Sequence, residues 1–437
     1  MQARRKRCHI PFLSVRYIPP VAATGQRVRR AADDINHIAN HRSSEKVLNK
    51  NLLATAALAS FAAFASTAHA QSNVTLYGII DAGISYVNNS ATRTGSDHLF
   101  KYDDGVAQGS RWGLRGTEDL GGGLKAIFVL ENGFNSGNGT LGQGGAMFGR
   151  QAYVGLAKND AGSLTFGRQY SFSTDYLGAN YSIGGQTVAG NYAYHINDVD
   201  QLTSSRINNA VKFSSASFYG VTFGGMYGFS NQAGAFAGSP TTTTGGVTTQ
   251  GSSRAYSFGL NYKLGSFGIG AAYTDIRFPG SSTPAFSTAM ANVATGGNKD
   301  LSTFGIGANY AFGGATVFGL WTNTRFESTT GATSKLNAYE AGGKYAFTPA
   351  LTGGLGYTYM KLTDAADGKW QQVDASVDYA LSKRTDVYLL GIYQHASGSN
   401  NGVDVQAQIG SSTSYFGTSG TGSNNQVAVR IGMRHKF

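Results

Sequence analysis

The sequence predicts an all-β chain, a 16-stranded antiparallel transmembrane β-barrel, and three observations predict it. Apolar and polar residues alternate with a period of two through most of the chain after Gln71. Such segments recur about sixteen times, each roughly nine to thirteen residues long, the length that a tilted strand needs to cross a bilayer. The connections between them alternate between short and long. Composition agrees. Of 437 residues 61 are Gly, while aromatic residues make up 12% and charged residues only 14%, which argues against a helical cytosolic protein, a coiled coil or a charge-driven disordered chain. A single Cys excludes a disulfide framework and a Cys-based zinc site.

Residues 1–70 are a different kind of sequence. Residues 1–45 are basic, lack apolar periodicity and contain Cys8; they read as an N-terminal extension. Lys46 and Lys50 form a short positive region, and Leu52–Ala65 an Ala/Leu/Phe-rich stretch too short to span a membrane. Ala68-His69-Ala70 is a small-residue cleavage site. Residues 46–70 are therefore expected to be a secretory signal peptide cleaved after Ala70, leaving 71–437 as the barrel. A signal placed this far into the chain predicts a translation start at Val47 or Leu48; a precursor whose mass includes Met1 would contradict that. Residues 1–70 hold 11 of the 35 Lys and Arg and 3 of the 24 Asp and Glu, so the remaining 367 residues carry only +3. The overall +11 is thus poor ground for a nucleic-acid partner, and none is expected.

In the first segment, Val74–Asn88, one face carries Leu76, Ile80, Ala82, Ile84 and Tyr86, and the other Thr75, Tyr77, Asp81 and Ser85. The second starts near Ser110, with Trp112 and Leu114 outward and Arg111 and Arg115 inward. The third, Leu124–Phe134, sets Leu124, Ala126, Phe128 and Leu130 against Lys125 and Glu131. In the fourth, from Phe148, Tyr153 is expected outward and Arg150 inward. In the fifth, from Leu164, parity puts Arg168 outward with Leu164 and Phe166. In the sixth, from Ser205, Ile207 and Val211 are expected outward and Arg206 inward. Further segments start near Val221, Arg254, Phe267, Leu301, Ala315, Lys335, Leu351, Trp370, Asp386 and Asn425. The last puts Val427, Val429, Ile431, Met433, His435 and Phe437 on one side. Arg430, Arg434 and Lys436 lie on the other, where they read as solvated rim charges.

Short connections fall at Glu118–Gly123, Lys158–Ser163, Gly265–Ser266, Gly313–Gly314, Thr348–Ala350 and Ser382–Thr385. Long ones fall at Asn135–Met147, Gln169–Ser204, Ser230–Ser253, Phe278–Asp300 and His395–Asn424. An up-and-down barrel accounts for this alternation, and its closure pairs every backbone group that lipid would leave unsatisfied. Tyr86, Tyr227, Tyr262, Tyr310, Tyr345 and Tyr357 recur near the ends of apolar faces, as a membrane girdle requires. A soluble β-sandwich alternates too, but its second face packs on another sheet, whereas here that face is polar or Gly.

The stretches VTLYGIIDAGISYV from Val74, SRWGLRGTEDLGGGLKAIFVLENGF from Ser110, RQAYVGL, GSLTFGRQY, SRINNAVKF and the terminal VRIGMRHKF carry a resemblance. Together they are similar to the general porins of Gram-negative outer membranes, β-proteobacterial branch, from Val74 to Phe437. The resemblance implies sixteen strands, a homotrimer embedded in outer-membrane lipid, a third loop folded into each pore, and diffusion of small hydrophilic solutes and ions without catalysis. It implies that the barrel assembly machinery reads the terminal Phe437; the alternative is a plain girdle Phe. It also places Arg111, Arg150 and Arg206 in a basic cluster on the pore wall, with Glu131 beside it. Gln169–Ser204 matches the constricting loop, which carries Asp175, Asp198 and Asp200 and four tyrosines, Tyr176, Tyr181, Tyr192 and Tyr194. So few acids facing inward arginines predict a positive ring and a preference for anions. The alternative is that Glu131 and the loop acids neutralise Arg111 and Arg150. For Arg168, where the strand breaks into the loop, a structural role and a pore role both stay open, and Arg115 is a further inward candidate.

No cofactor is expected. Gly137–Gly142 matches G-x-G-x-x-G, but a strand follows it rather than a helix. There is no G-x-S-x-G, H-E-x-x-H or Walker A pattern. His98, His195, His395 and His435 are isolated and read as loop or surface residues rather than metal ligands. Asp198-x-Asp200 lacks the pattern of a calcium loop. The loops Ala233–Ser253 and Ser397–Asn425, rich in Gly, Ser and Thr, are expected at the surface, where a receptor or adhesin role would reside.

Overall fold

A computed structural model describes residues 73–92, 94–203, 205–279, 298–365, 367–400, 403–411 and 423–437. The expected extension, signal peptide and cleavage point after Ala70 lie outside these residues. Sixteen strand positions close into one antiparallel barrel. They are β1 (Asn73–Ala91), β2 (Ser96–Asp104 continued by Arg111–Gly121), β3 (Leu124–Gly133), β4 (Gln151–Lys158), β5 (Gly162–Tyr170), β6 (Arg206–Ser215), β7 (Val221–Gly228) and β8 (Arg254–Leu264). There follow β9 (Phe267–Arg277), β10 (Asn298–Phe312), β11 (Ala315–Ser328), β12 (Thr333–Ala346), β13 (Leu351–Asp364), β14 (Gly368–Ala380), β15 (Thr385–Ser397) and β16 (Asn425–Lys436). Each strand pairs with its sequence neighbours, and β16 pairs with β1, Ile431 opposite Ile84 and Lys436 opposite Ile79. Beyond β16 the Phe437 backbone bonds Gly78 in both directions, at 3.0 and 3.1 Å. No described helix is long and apolar enough to cross a membrane.

β2 begins earlier than the sequence suggested. Its first half pairs with the second half of β1, its second half with the first half of β1, and residues 105–110 form a bulge between them that lines the lumen. The short turns lie where expected, at the end that carries Phe437. At the opposite end the connections are mostly long, but residues 329–332 make a tight one that the sequence pattern does not separate from the strands. The outer wall is apolar: Ile80, Ile84, Leu260, Ile306, Leu355, Leu389 and Ile431 all stand exposed. Such a band is stable only in lipid, since soluble monomers rarely expose apolar patches beyond a few hundred Å².

A bulge beside the long β5–β6 connection overturns the expected parity of β6. Between the Gly167–Ala210 and Gln169–Ile207 pairs, one residue of β5 (Arg168) opposes two of β6 (Asn208 and Asn209), and Asn209 takes a positive φ of 50°. An extra residue reverses every side chain beyond it. Ile207 therefore faces inward and is buried, not outward. Tyr153 also faces inward: Val154 and Leu156 take the exposed face of β4.

Candidate functional site: the lumen and its folded loop

The chain between β5 and β6 does not stand out from the barrel. It runs as short helical turns, Ser173–Gly178, Ala179–Tyr181, Ile183–Gln186, Gly190–Ala193 and Ile196–Asp198, packed against the inner wall. Phe172, Leu177 and Tyr181 pack with Ile207, Met226, Ala255, Ile276 and Leu320. Tyr192 and Ile183 pack with Val87, Phe318, Tyr388 and Ile392, and Ile196 and Val199 with Leu301, Leu336, Met360 and Trp370. The inner face of these strands is therefore apolar where the loop covers it and polar where water does. Wall glycines let the loop lie close: a side chain at Gly307 would overlap Tyr181, and one at Gly356 would overlap Ile183.

Hydrogen bonds fasten the loop as well. Ser257 Oγ accepts from the Phe172 amide at 3.0 Å, and Glu340 Oε1 from the Ile183 amide at 3.2 Å. The Tyr192 hydroxyl bonds Asp103 and Ser85. His195, expected to be a loop or surface residue, lies in the loop and is fully buried. Its Nδ1 contacts Asp200, its Nε2 lies 3.5 Å from Glu340, and Asp200 accepts from the Thr322 hydroxyl at 2.7 Å. Burial opposes the imidazolium, and the two carboxylates outweigh it, holding the His195 pKa well above its usual value.

The last long connection also turns inward in part, against the expectation of a wholly exposed loop. Ile409 is buried beside Tyr192 and Val106. Asn197 and Gln408 exchange side-chain bonds at 3.2 and 2.7 Å. The Ser411 amide donates to Asn191 O at 2.8 Å, and the Asn197 amide to Gly410 O at 3.1 Å. This segment braces the folded loop. Ile409→Asp places a charge in that apolar contact, and we expect frequent current flicker in single-channel records where the wild type is quiet.

The lumen beside the loop is a cavity of about 1200 Å³. Its lining includes Arg111, Tyr170 and Arg206 on β2, β5 and β6, Arg150 just before β4, Asp175 at the loop's start, Asp104 of β2 and Gln108 of its bulge, and Lys344, Asp378 and Arg434 on β12, β14 and β16. Five cationic side chains thus face three carboxylates. Behind them Glu131 sits buried, 2.8 Å from Arg150 Nε and 3.7 Å from Arg111 Nε, and accepts from the Tyr77 hydroxyl at 3.0 Å. Arg150 lies inward, as strand parity expected, but the expected outward Tyr153 also faces inward; Arg150 precedes β4, in a bend that carries it to Glu131. Arg206 stacks on Tyr170, guanidinium carbon 4.8 Å from the ring centre, and donates to its hydroxyl at 3.0 Å.

The remaining expected residues separate. Asp175 lines the lumen and pairs with Lys212. Asp198 and Asp200 do not line it. Both are buried: Asp198 accepts from the Thr203 amide at 2.9 Å, and Asp200 belongs to the His195 cluster. Arg168 does not join Leu164 and Phe166 at the lipid face; it donates to Gly149 O at 2.8 Å and to Asn208 Oδ1, bracing the bulge. Arg115 lies beyond the cavity, 5.2 Å over the Tyr77 ring. Phe437 is half-exposed at the short-turn end.

Arg430 and Arg434 are not solvated rim charges. Arg430 is fully buried, 3.4 Å from Asp81 and 2.9 Å from the Tyr388 hydroxyl. Arg434 holds both oxygens of Asp386 at 3.1 Å and faces the lumen. Register carried a signal for this, because Asp386 and Asp81 both stand directly opposite Arg434. Replacing Arg430 by Leu strands Asp81 in the wall, and we expect a loss of about 3–5 kcal/mol, read as a lower unfolding temperature of the barrel.

A closed barrel with an apolar exterior, a polar charged lumen and an inward loop defines an outer-membrane channel. The sequence profile of the Gram-negative porin family matches residues 54–401. An outer membrane porin protein of Bordetella pertussis is 33% identical over 381 residues, 79% of this chain and 94% of the relative. Outer membrane porin protein 32 of Delftia acidovorans is 30% identical over 400 residues, 89% of this chain and 100% of the relative. The solved anion-selective porin from Comamonas acidovorans is 25% identical with a TM-score of 0.63, covering 84% of this chain and all of that one. The chain belongs to the Gram-negative porin family, and it is an integral outer-membrane β-barrel that forms a channel.

Proposed function

We propose that the channel passes small hydrophilic solutes and ions by passive diffusion and prefers anions. One observation carries this: five cations against three carboxylates around the lumen. Arg111, Arg150 and Arg206 supply the basic wall, and Glu131 orients the first two rather than cancelling them, being one charge set against two. Fixed positive charge lowers the free energy of an anion in the lumen. The similarity to an anion-selective porin supports the same reading. In this reading Asp175 sits at the loop's start as a counter-charge, and Asp198 and Asp200 hold the loop instead of facing solutes. Swelling of liposomes that contain the protein tests it. At matched size, anionic solutes should enter fastest, neutral ones next and cationic ones slowest. Equal rates, or saturation by a single solute, would contradict it.

We also propose that residues 46–70 are a signal peptide removed after Ala70, that Phe437 is read by the barrel assembly machinery, and that the barrel assembles as a homotrimer. The family resemblance supports these readings. N-terminal sequencing of the outer-membrane form beginning at Gln71, and cross-linking to a threefold mass, are the expected results.

A further inference from the structure

The fixed register sets outward side chains of β11–β14 in rows across the wall. One row is aromatic, with Trp321 opposite Tyr339 and Tyr339 opposite Tyr359; the first two rings stack 6.5 Å apart. Interfacial aromatics mark the headgroup level of a bilayer. One pleat repeat nearer the long loops, Lys361 stands directly opposite Lys369. One repeat further, Arg325 stands directly opposite Lys335. Lys335 opposes Thr363, which makes it the diagonal neighbour of Lys361. All four cations are exposed, while Leu336, Met360, Leu362 and Trp370 between them turn inward and are buried.

Directly opposed side chains have Cβ atoms about 5 Å apart, and like charges there destabilise a sheet. Two such pairs on four adjacent strands are poorly neutralised. Glu327 lies 3.6 Å from Arg325 but is also engaged by Lys299, and Asp364 lies 3.1 Å from Lys335. Lys361 and Lys369 make no ion pair among the described residues. Four cations at headgroup depth, each within reach of the next, match a dense negative charge rich in acceptor oxygens. A lipid phosphate offers that, and it turns the repulsion into binding.

We propose that Arg325, Lys335, Lys361 and Lys369 form a docking surface for the phosphorylated headgroup of an anionic lipid in the outer leaflet. The site lies on the outer wall and is independent of lumen selectivity. The test uses the folded barrel in micelles containing diphosphoryl lipid A, with phosphatidylcholine micelles and inorganic phosphate as the other arms and retained ligand read by native mass spectrometry. Saturable lipid A binding is expected, weakened roughly fivefold for each cation removed and so about 25-fold in the K361Q/K369Q double variant. The single variant K369Q, about fivefold weaker, serves if the double variant does not fold, and heat-modified gel migration reports folding. Lipid A binding no tighter than phosphatidylcholine overturns the proposal, as does undiminished binding by folded K361Q/K369Q. Inorganic phosphate binding as tightly as lipid A would show a free-anion site and overturn it too.

Discussion

Exchanging Arg111 and Arg206 for Gln is expected to bring the ratio of chloride to potassium permeability down to about one. The two guanidinium groups are two of the five cations that line the lumen, and their loss leaves three cations against three carboxylates. The exchange should leave the barrel intact. Glu131 keeps Arg150 at 2.8 Å when the longer Arg111 contact goes, and Arg206 stacks on the Tyr170 ring, a contact that a Gln side chain replaces without leaving a buried charge behind. Arg150→Gln differs in kind, because it leaves the buried Glu131 with the 3.7 Å Arg111 contact as its one ion pair among the described residues, beside the Tyr77 hydroxyl. A stability loss of up to about 3–5 kcal/mol should accompany its change in selectivity. Because the Debye length falls from about 10 Å at 0.1 M salt to about 3 Å at 1 M, wild type and variant should differ most in dilute salt. Zero-current potentials in a KCl gradient provide the measurement. A double variant as anion-preferring as the wild type would remove both residues from the selectivity site.

The second large effect concerns the cluster that fastens the loop. His195 is fully buried between Asp200 and Glu340, and those carboxylates hold its pKa well above 6.5 despite its burial. A His whose folded pKa is raised stabilises the folded state fully below its unfolded pKa, near 6.5, and loses that contribution as pH climbs through the folded value. The loop should therefore be held firmly in acid and at neutral pH and loosen on the alkaline side. His195→Gln should abolish that alkaline step and lower stability at neutral pH by about 3–5 kcal/mol, since two buried carboxylates lose their cation. Unfolding temperatures and single-channel closures followed from pH 6 upward test this. An alkaline step unchanged in the variant would assign it to other groups.

The barrel was legible because lipid-facing alternation is a local property: Leu260, Ile306, Leu355 and Ile431 mark their strands without reference to partners. The first half of β2 was not. SDHLFKYDD is short and polar, and it ends in the bulge that divides the strand. Arg111 and Glu131 were placed by parity because regular pairing runs through β2 and β3. Arg168 and Ile207 were misplaced by a bulge that no residue pattern announces. Arg150 reaches the lumen through a bend rather than through its strand. Inward apolar residues such as Leu336, Met360 and Trp370 make sense only once the loop is seen to cover them. Asp81, the partner of Arg430, lies at the start of the barrel, and of the two carboxylates at His195 only Asp200 is near in sequence while Glu340 comes from β12, so neither burial could be read locally.

The most direct test is the zero-current potential of the wild-type protein in a planar bilayer separating dilute from concentrated KCl. A water-filled lumen with five cations facing three carboxylates predicts stepwise conductance and a potential of the sign set by chloride. A potential of the sign set by potassium, or a bilayer that stays silent with folded protein inserted, would contradict it.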